Sequence, residues 1–342
     1  MICLSLECTA HTLGFAVVER TADGECKILS NEKDSFKTES GGMVPLELRK
    51  HHEQVWQTIL ALALENSGKT WKDIDLIAFS SGPGLAPALI AGMQIAKNLA
   101  QKNKKPLLGV NHCVAHIEIG KALCGSKDPI VVYASGANTQ IIGFETGYYR
   151  VFGETLDIGI GNLLDSFGRS LGFGFPAGPK LDEWYFEGKQ FIEMPYTVKG
   201  MDLVFSGLQT FAEEFWKKNS FGKSIEELEQ LKKDLAFSLL HNAFAELTEV
   251  TERALAHTEK KEVLVVGGVG ASRALKKMLE KMCLARGAQL FITPLSVVVD
   301  NAAMIAWLGL LEQSAGKKQS LKSIDINPKW RTDQSPAKWI KD

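Results

Sequence analysis

Ile2-Cys-Leu-Ser-Leu-Glu-Cys-Thr-Ala-His-Thr-Leu-Gly-Phe-Ala-Val-Val18 begins with an apolar run, passes through a turn of small polar residues and ends in a second apolar run. Far along the chain, Ile130-Val-Val-Tyr-Ala-Ser-Gly-Ala-Asn-Thr-Gln-Ile-Ile-Gly-Phe144 repeats the arrangement. Strand, turn and strand in this order predict a β-hairpin in each case. Turns rich in Ser, Thr, Gly and Asn leave backbone amides free to face an anion such as phosphate. Two such hairpins, each opening one half of the chain, predict a duplicated lobe with a cleft between; chance similarity of two hairpins is the alternative.

Moving outward, each hairpin is followed by amphipathic helices and parallel-strand signals. Pro45 to Glu65 reads as a helix, Ile74-Asp-Leu-Ile-Ala-Phe-Ser80 as a strand running into Ser81-Gly-Pro-Gly-Leu-Ala-Pro87, and the next helix extends through Ala100. This alternation is α/β architecture. Glu262-Val-Leu-Val-Val-Gly-Gly-Val-Gly-Ala-Ser-Arg273 reads as a buried strand, a glycine-rich turn and a helix starting near Ser272. That order suits a nucleotide site in which backbone approaches phosphate or adenosine, and it suits an ordinary tight turn equally. The expected division is a first lobe over residues 1–110 and a second over 111–342. The polar segment from Ser314 either packs back onto the first lobe or stays mobile.

Composition sets bounds. A chain of 342 residues, 45% hydrophobic and 23% charged, has room for two domains of usual size with a sizeable core. Cys3, Cys8, Cys26, Cys113, Cys124 and Cys283 show neither a Cys-x-x-Cys pair nor a framework spacing, so a reduced, cytoplasmic protein is expected. No apolar stretch approaches the ~20 residues needed to cross a bilayer, and no membrane partner is expected. The net charge of −1 offers a polyanion no general attraction, so nucleic acid would need local clusters or a partner subunit.

The chemistry-bearing pattern is Gly109-Val-Asn-His-Cys-Val-Ala-His-Ile-Glu-Ile-Gly120. Helical spacing of four puts His112 and His116 on one face, where they can hold a metal; a buried histidine beside a capping one has the same spacing. A third ligand is required, and Asp300 is the best candidate. It ends a strand-like run in Thr293-Pro-Leu-Ser-Val-Val-Val-Asp-Asn-Ala-Ala-Met304, just before a helical pattern from Ala302 to Leu311. Asp300 also suits a helix N-cap. A zinc-protease helix is excluded, because that motif places a Glu directly after its first His and Cys113 stands there.

In combination these pieces identify a resemblance that runs almost end to end. The chain resembles the archaeal and eukaryotic branch of the tRNA threonylcarbamoyl-adenosine synthesis family, tRNA N6-adenosine threonylcarbamoyltransferases that serve as catalytic subunit of the KEOPS complex and were formerly described as O-sialoglycoprotein endopeptidases. The residues that carry it are Leu6-Glu-Cys-Thr-Ala-His-Thr12, Gly41-Gly42 with Pro45 and His51-His52, Ser81-Gly-Pro-Gly-Leu85, and Val110 to Gly120. They continue with Tyr133-Ala-Ser-Gly-Ala-Asn-Thr-Gln140, Glu154-Thr-Leu-Asp-Ile-Gly-Ile-Gly-Asn162, Phe205-Ser-Gly-Leu208, Gly267-Gly-Val269, Asp300-Asn301 and Arg331-Thr-Asp333. The resemblance implies an actin-like fold of the sugar kinase and Hsp70 ATPase type, with nucleotide and metal in the cleft. It places metal ligands on His112, His116 and Asp300, with Tyr133 approaching the metal. Nucleotide contacts fall on the turn Tyr133, Ala134, Ser135, Gly136, Ala137 and Asn138, on Asp165, Gly178 and Asp182, and on Gly267, Gly268 and Ser272. Asp165 and Asp182 also suit acids at a helix start.

The implied reaction moves threonylcarbamoyl from threonylcarbamoyl-adenylate to the exocyclic amine of the adenosine beside the anticodon, in tRNAs reading codons that begin with A. One divalent ion, iron(II) or zinc, suits two histidines and a carboxylate. Glu7 and His11 are the candidates to accept the amine proton. Implied partners are tRNA, a small protein kinase-like ATPase and small dimerising, tRNA-recruiting subunits. Cys8, Ala137 and Ala177 stand where the family usually has Gly, and Ser272-Arg273 where it commonly has two asparagines. An actin-like small-molecule kinase and a non-catalytic scaffold paralogue of the same complex are the competing readings.

Overall fold

The computed structural model describes residues 1–36 and 44–340, so Gly41-Gly42 lies outside the described residues. The chain forms two compact units, one of Met1–Gly125, Glu145–Tyr149 and Val299–Asp342, the other of Ser126–Phe144 and Arg150–Val298. The first contains β1 (Ile2–Glu7), β2 (Thr12–Arg20), β3 (Cys26–Ser35), α1 (Pro45–Ser67), β4 (Leu76–Gly82), α2 (Ala86–Asn103), β5 (Leu107–Asn111) and α3 (His112–Cys124). The second follows with β6 (Ile130–Ala134), β7 (Thr139–Glu145) and β8 (Tyr148–Glu154), apart from their Glu145–Tyr149 corner, and with α4 (Ile160–Ser170), α5 (Gly178–Tyr185), α6 (Phe205–Asn219) and α7 (Ile225–Thr258). Then come β9 (Glu262–Val266), α8 (Arg273–Arg286), β10 (Gln289–Ile292) and α9 (Leu295–Val298), and α10 (Ala302–Ser314) completes the first unit.

Both predicted hairpins are present, β1 with β2 and β6 with β7, each antiparallel. The two sheets run β3-β2-β1-β4-β5 and β10-β9-β6-β7-β8. Reversed, the second order is β8-β7-β6-β9-β10, which is the first with every strand replaced by its counterpart. The lobe is duplicated.

Strand periodicity explains how the first sheet is covered. Leu4, Leu6, Phe15, Val17, Ile77 and Phe79 join one apolar cluster with Ile59, Leu60 and Ala63 of α1 and Ile95 and Leu99 of α2. Alternate positions point to the opposite face, where Cys3, Ser5, Gly14, Ala16 and Ala78 are small. Small side chains let α10 approach closely. The Ser5 hydroxyl donates to the Ala302 carbonyl at 2.6 Å, and a Cβ on Gly309 would lie 2.7 Å from that of Ala78. Edge strand β3 carries Lys27, Lys33 and Asp34 exposed, which discourages further pairing.

Contacts group the chain differently from a break at residue 110: α3 follows β5 without a linker and stays with the first unit, and α10 joins it. The C-terminal segment packs back onto the first unit, one of the two outcomes expected for it. That segment is anchored: Ile324 is buried in the first core, and the Asn327 amide donates to the Ser81 carbonyl at 2.7 Å. The valines before Asp300 form no strand; Leu295–Val298 is a short helix, begun by a turn in which Val297 donates to the Pro294 carbonyl.

Candidate functional site

In the first unit β5 ends at Asn111, whose side chain accepts from the amides of Cys113 and Val114 and so starts α3. Capping therefore falls to Asn111, and His112 is released to point into the protein. His112 and His116 stand one helical turn apart with ring centres 4.8 Å from each other. Asp300 meets both: its Oδ1 lies 3.2 Å from His116 Nε2 and 3.5 Å from His112 Nε2. Asn301, accepting from the Met304 amide at 3.1 Å, caps α10 and leaves the Asp300 carboxylate for the cluster. One donor atom from each of the three residues falls within 4.8 Å of the others, the only such group among the described residues.

The electrostatics fit a cation. Burial lowers the proton affinity of both imidazoles; for His112 the facing carboxylates of Glu7 and Asp300 outweigh it and hold its pKa well above the usual value, while His116 stays low. Burial would raise Asp300, yet the two histidines hold it well below the usual carboxylate range. Two nitrogens and one anionic oxygen converging with the carboxylate 26% exposed suit a divalent transition metal with open positions.

Glu7 and Thr9 support this cluster from the end of β1. Glu7 is wholly buried; one carboxylate oxygen accepts from the Thr9 amide at 2.8 Å and the Thr9 hydroxyl at 2.5 Å, the other lies 3.0 Å from His112 Nδ1. His11, half-buried, lies in the β1–β2 turn, and its carbonyl accepts from the Phe36 amide. Nothing in the neighbours of Thr9 along the chain signals that it would hold Glu7.

In the second unit the β6–β7 turn is closed on itself. The Ser135 amide donates to the Asn138 carbonyl at 2.8 Å, and the Asn138 amide to the Ser135 hydroxyl at 3.2 Å. The carbonyls of Ser135 and Gly136 accept from Gly161 and Asn162 at the start of α4. Gly136 and Ala137 are left with amides that have no partner among the described residues. Gly267, at φ +88°, lies so close to Ala134 that a Cβ would fall 2.4 Å from its carbonyl oxygen; only glycine brings the β9 turn this near. Tyr133 is buried in β6 opposite Gln140. Gly268 opens the short 3₁₀ turn that leads to Ser272, the N-cap of α8.

Three acids of this unit each cap a helix that begins further along the chain. Asp157 accepts from the Phe205 and Ser206 amides at 3.0 and 2.9 Å, joining the Glu154–Asn162 motif to the Phe205–Leu208 motif at the start of α6. Asp165 accepts from the Ala177 amide at 2.8 Å, ahead of Gly178 and α5. Asp182 takes the Ser272 hydroxyl at 2.6 Å, the Ala274 amide at 3.1 Å and Arg273 Nε at 2.9 Å at the start of α8. Burial raises the Asp165 carboxyl despite its amide bond, whereas in Asp157 the amide and hydroxyl donors outweigh burial and lower it.

The side chains at Cys8 and Ala177 are accommodated by partner glycines. A Cβ at Gly92 would meet Cys8 Sγ at 1.9 Å, and one at Gly168 would meet the Ala177 Cβ at 2.2 Å. Likewise Ser81-Gly-Pro-Gly-Leu85 is a cradle: Leu85 donates to the Thr9 carbonyl at 2.8 Å, and a Cβ at Gly82 would strike the Asn327 carbonyl. Asn111 Nδ2 donates to the Arg331 carbonyl at 3.3 Å, which fastens the Arg331-Thr-Asp333 segment beside α3.

A duplicated five-stranded α/β fold with a two-histidine, one-carboxylate cluster defines an actin-like protein carrying a candidate metal centre. Solved structures bear out the fold: HypF of T. kodakarensis is similar with TM-score 0.63 at 16% identity, over 91% of this chain and 48% of that one. The activator of 2-hydroxyisocaproyl-CoA dehydratase from Clostridium difficile gives 0.50 at 11% identity, over 94% and 99%. The family described as "TsaD: tRNA N6-adenosine threonylcarbamoyltransferase" matches residues 27–307. The tRNA N6-adenosine threonylcarbamoyltransferase of Thermococcus kodakarensis is 48% identical over 99% of this chain and 100% of its own length. A probable bifunctional tRNA threonylcarbamoyladenosine biosynthesis protein of Methanocaldococcus jannaschii is 45% identical over all of this chain and 61% of its own length. The chain belongs to the TsaD family.

Proposed function

We propose that the chain transfers threonylcarbamoyl from threonylcarbamoyl-adenylate to N6 of the adenosine beside the anticodon, in tRNAs reading codons that begin with A. The observation that carries this reading is the convergence of His112, His116 and Asp300 in a chain 48% identical to a transferase of that name along its whole length. The N6 amine attacks the carbamoyl carbonyl carbon, a C–N bond forms, and the bond from that carbon to the adenylate oxygen breaks. AMP departs with the electron pair.

His112, His116 and Asp300 would hold iron(II) or zinc, which supplies a Lewis acid for a carbonyl oxygen. The free Gly136 and Ala137 amides suit the adenylate phosphate, and Gly267 with Gly268 the nucleoside, since bare backbone offers donors without side-chain bulk. Glu7 and His11 are the two candidates to accept the amine proton; both oxygens of buried Glu7 are already engaged, and His11 is half-buried in the β1–β2 turn. Asp165 and Asp182 contribute by fixing α5 and α8 around Gly178 and Ser272. Their amide donors leave fewer lone pairs for ribose hydroxyls than free carboxylates would have.

Relatives named as bifunctional, of whose length the chain spans about three fifths, support a second activity working beside the transferase. A small protein kinase-like ATPase and dimerising, tRNA-recruiting subunits of a KEOPS-type complex fit that place. No described helix is long and apolar enough to cross a membrane. The test is transfer of label from threonylcarbamoyl-adenylate carrying radioactive threonine into acid-precipitable tRNA by the chain with its partner subunits. Label appearing only as free threonine would refute the proposal.

A further inference from the structure

Glu7 ends β1 on the face that carries Cys3 and Ser5, the face covered by α10, and that register brings it to the ligand cluster at the start of α10. Its environment is unusual for a carboxylate: no exposed surface, and three donors arranged on it. The Thr9 amide and hydroxyl hold one oxygen at 2.8 and 2.5 Å. The other lies 3.0 Å from His112 Nδ1, while the far nitrogen of the same ring, Nε2, faces Asp300 Oδ1. An imidazole that donates from Nδ1 must present its lone pair at Nε2 if it is to ligate.

We propose that Glu7 is a positioning residue for the metal centre: held by Thr9, it keeps the proton of His112 on Nδ1 and aims Nε2 into the cluster with His116 and Asp300. This inference rests on the metal reading of that cluster. A carboxylate behind a ligating histidine fixes ring orientation and raises ligand basicity, and its loss typically costs ten- to a hundredfold in metal affinity. Thr9 extends the chain of support by one link. Removing its hydroxyl, which also lies 3.3 Å from His112 Nδ1, leaves that Glu7 oxygen held by the Thr9 amide alone, so a smaller loss of the same kind is expected.

The experiment is cobalt(II) titration of the full chain against a competing chelator, with the cobalt absorption envelope and thermal unfolding recorded for wild type, Glu7→Gln, Glu7→Ala and Thr9→Val. Wild type should bind one equivalent. Glu7→Ala should bind ten- to a hundredfold more weakly with an altered envelope; Glu7→Gln, of equal shape and able to accept from Nδ1, should lose less. If Glu7→Ala does not fold, Glu7→Gln and Thr9→Val decide. Folded variants with wild-type affinity and envelope would overturn the positioning role while leaving the metal reading intact. A wild type that binds no cobalt, and matches a His112→Ala, His116→Ala double variant, would overturn both.

Discussion

Arg273 Nε donates to Asp182 Oδ2 at 2.9 Å, and the guanidinium lies 4.8 Å from the centre of the Phe186 ring. Arg273 thus closes the cap that Asp182 builds on α8. The ion pair is the weaker part, since Arg273 is 62% exposed and solvent screens it. The part-buried bond from Ser272 and the buried one from Ala274 carry more, because losing their acceptor leaves donors unsatisfied. Arg273→Ala should cost less than about 1 kcal/mol of stability and Asp182→Ala about 1–3 kcal/mol. Urea unfolding of the two variants checks the order; equal losses would contradict it.

Replacing His112 and His116 together by Ala should abolish bound metal while leaving the protein folded. The two rings face a polar cluster, not the apolar core that α1 and α2 form on the first sheet. Elemental analysis after loading with iron(II) or zinc reads the first half of the prediction and far-ultraviolet circular dichroism the second.

Acid should destabilise the protein through His52. Burial, and then the neighbouring His51, hold its pKa down at about 4, against 6.5 in an unfolded chain. Between those values the unfolded chain binds a proton that the folded one refuses, so stability is complete above pH 6.5 and falls as pH drops toward 4. The slope approaches about 1.4 kcal/mol per pH unit. Unfolding free energies at pH 7, 6 and 5 should show this fall, and His52→Gln should flatten it.

The isolated chain should bind tRNA with a Kd weaker than micromolar at physiological salt, since its net charge of −1 gives a polyanion little general attraction. Filter binding with and without partner subunits tests this; sub-micromolar affinity of the chain alone would contradict it.

Much of the fold was legible because it depends on local patterns. Period-two runs flanking Ser, Thr, Gly and Asn gave both hairpins, and the spacing of His112 and His116 gave one helical face. What escaped depends on distant packing. The valines before Asp300 have the β-branched character of a strand, yet the turn at Pro294 starts a helix instead. Adjacent Asp300 and Asn301 both suit an N-cap, and only the packed structure shows Asn301 taking it. A division near residue 110 takes no account of α10, which returns from the far end of the chain to the small-residue face of the first sheet. Asp157 and Asp182 cap helices through donors 48 and 90 residues further along the chain, a role that no local window contains.

The central claim is tested most directly by mass spectrometry of nucleosides from a tRNA transcript that reads codons beginning with A. The transcript is incubated with threonylcarbamoyl-adenylate, the partner subunits and either the wild-type chain or the His112→Ala, His116→Ala variant. Threonylcarbamoyl-adenosine beside the anticodon, formed with wild type and lost with the variant, is the predicted result; its absence with wild type, or equal yields from both, would contradict the account.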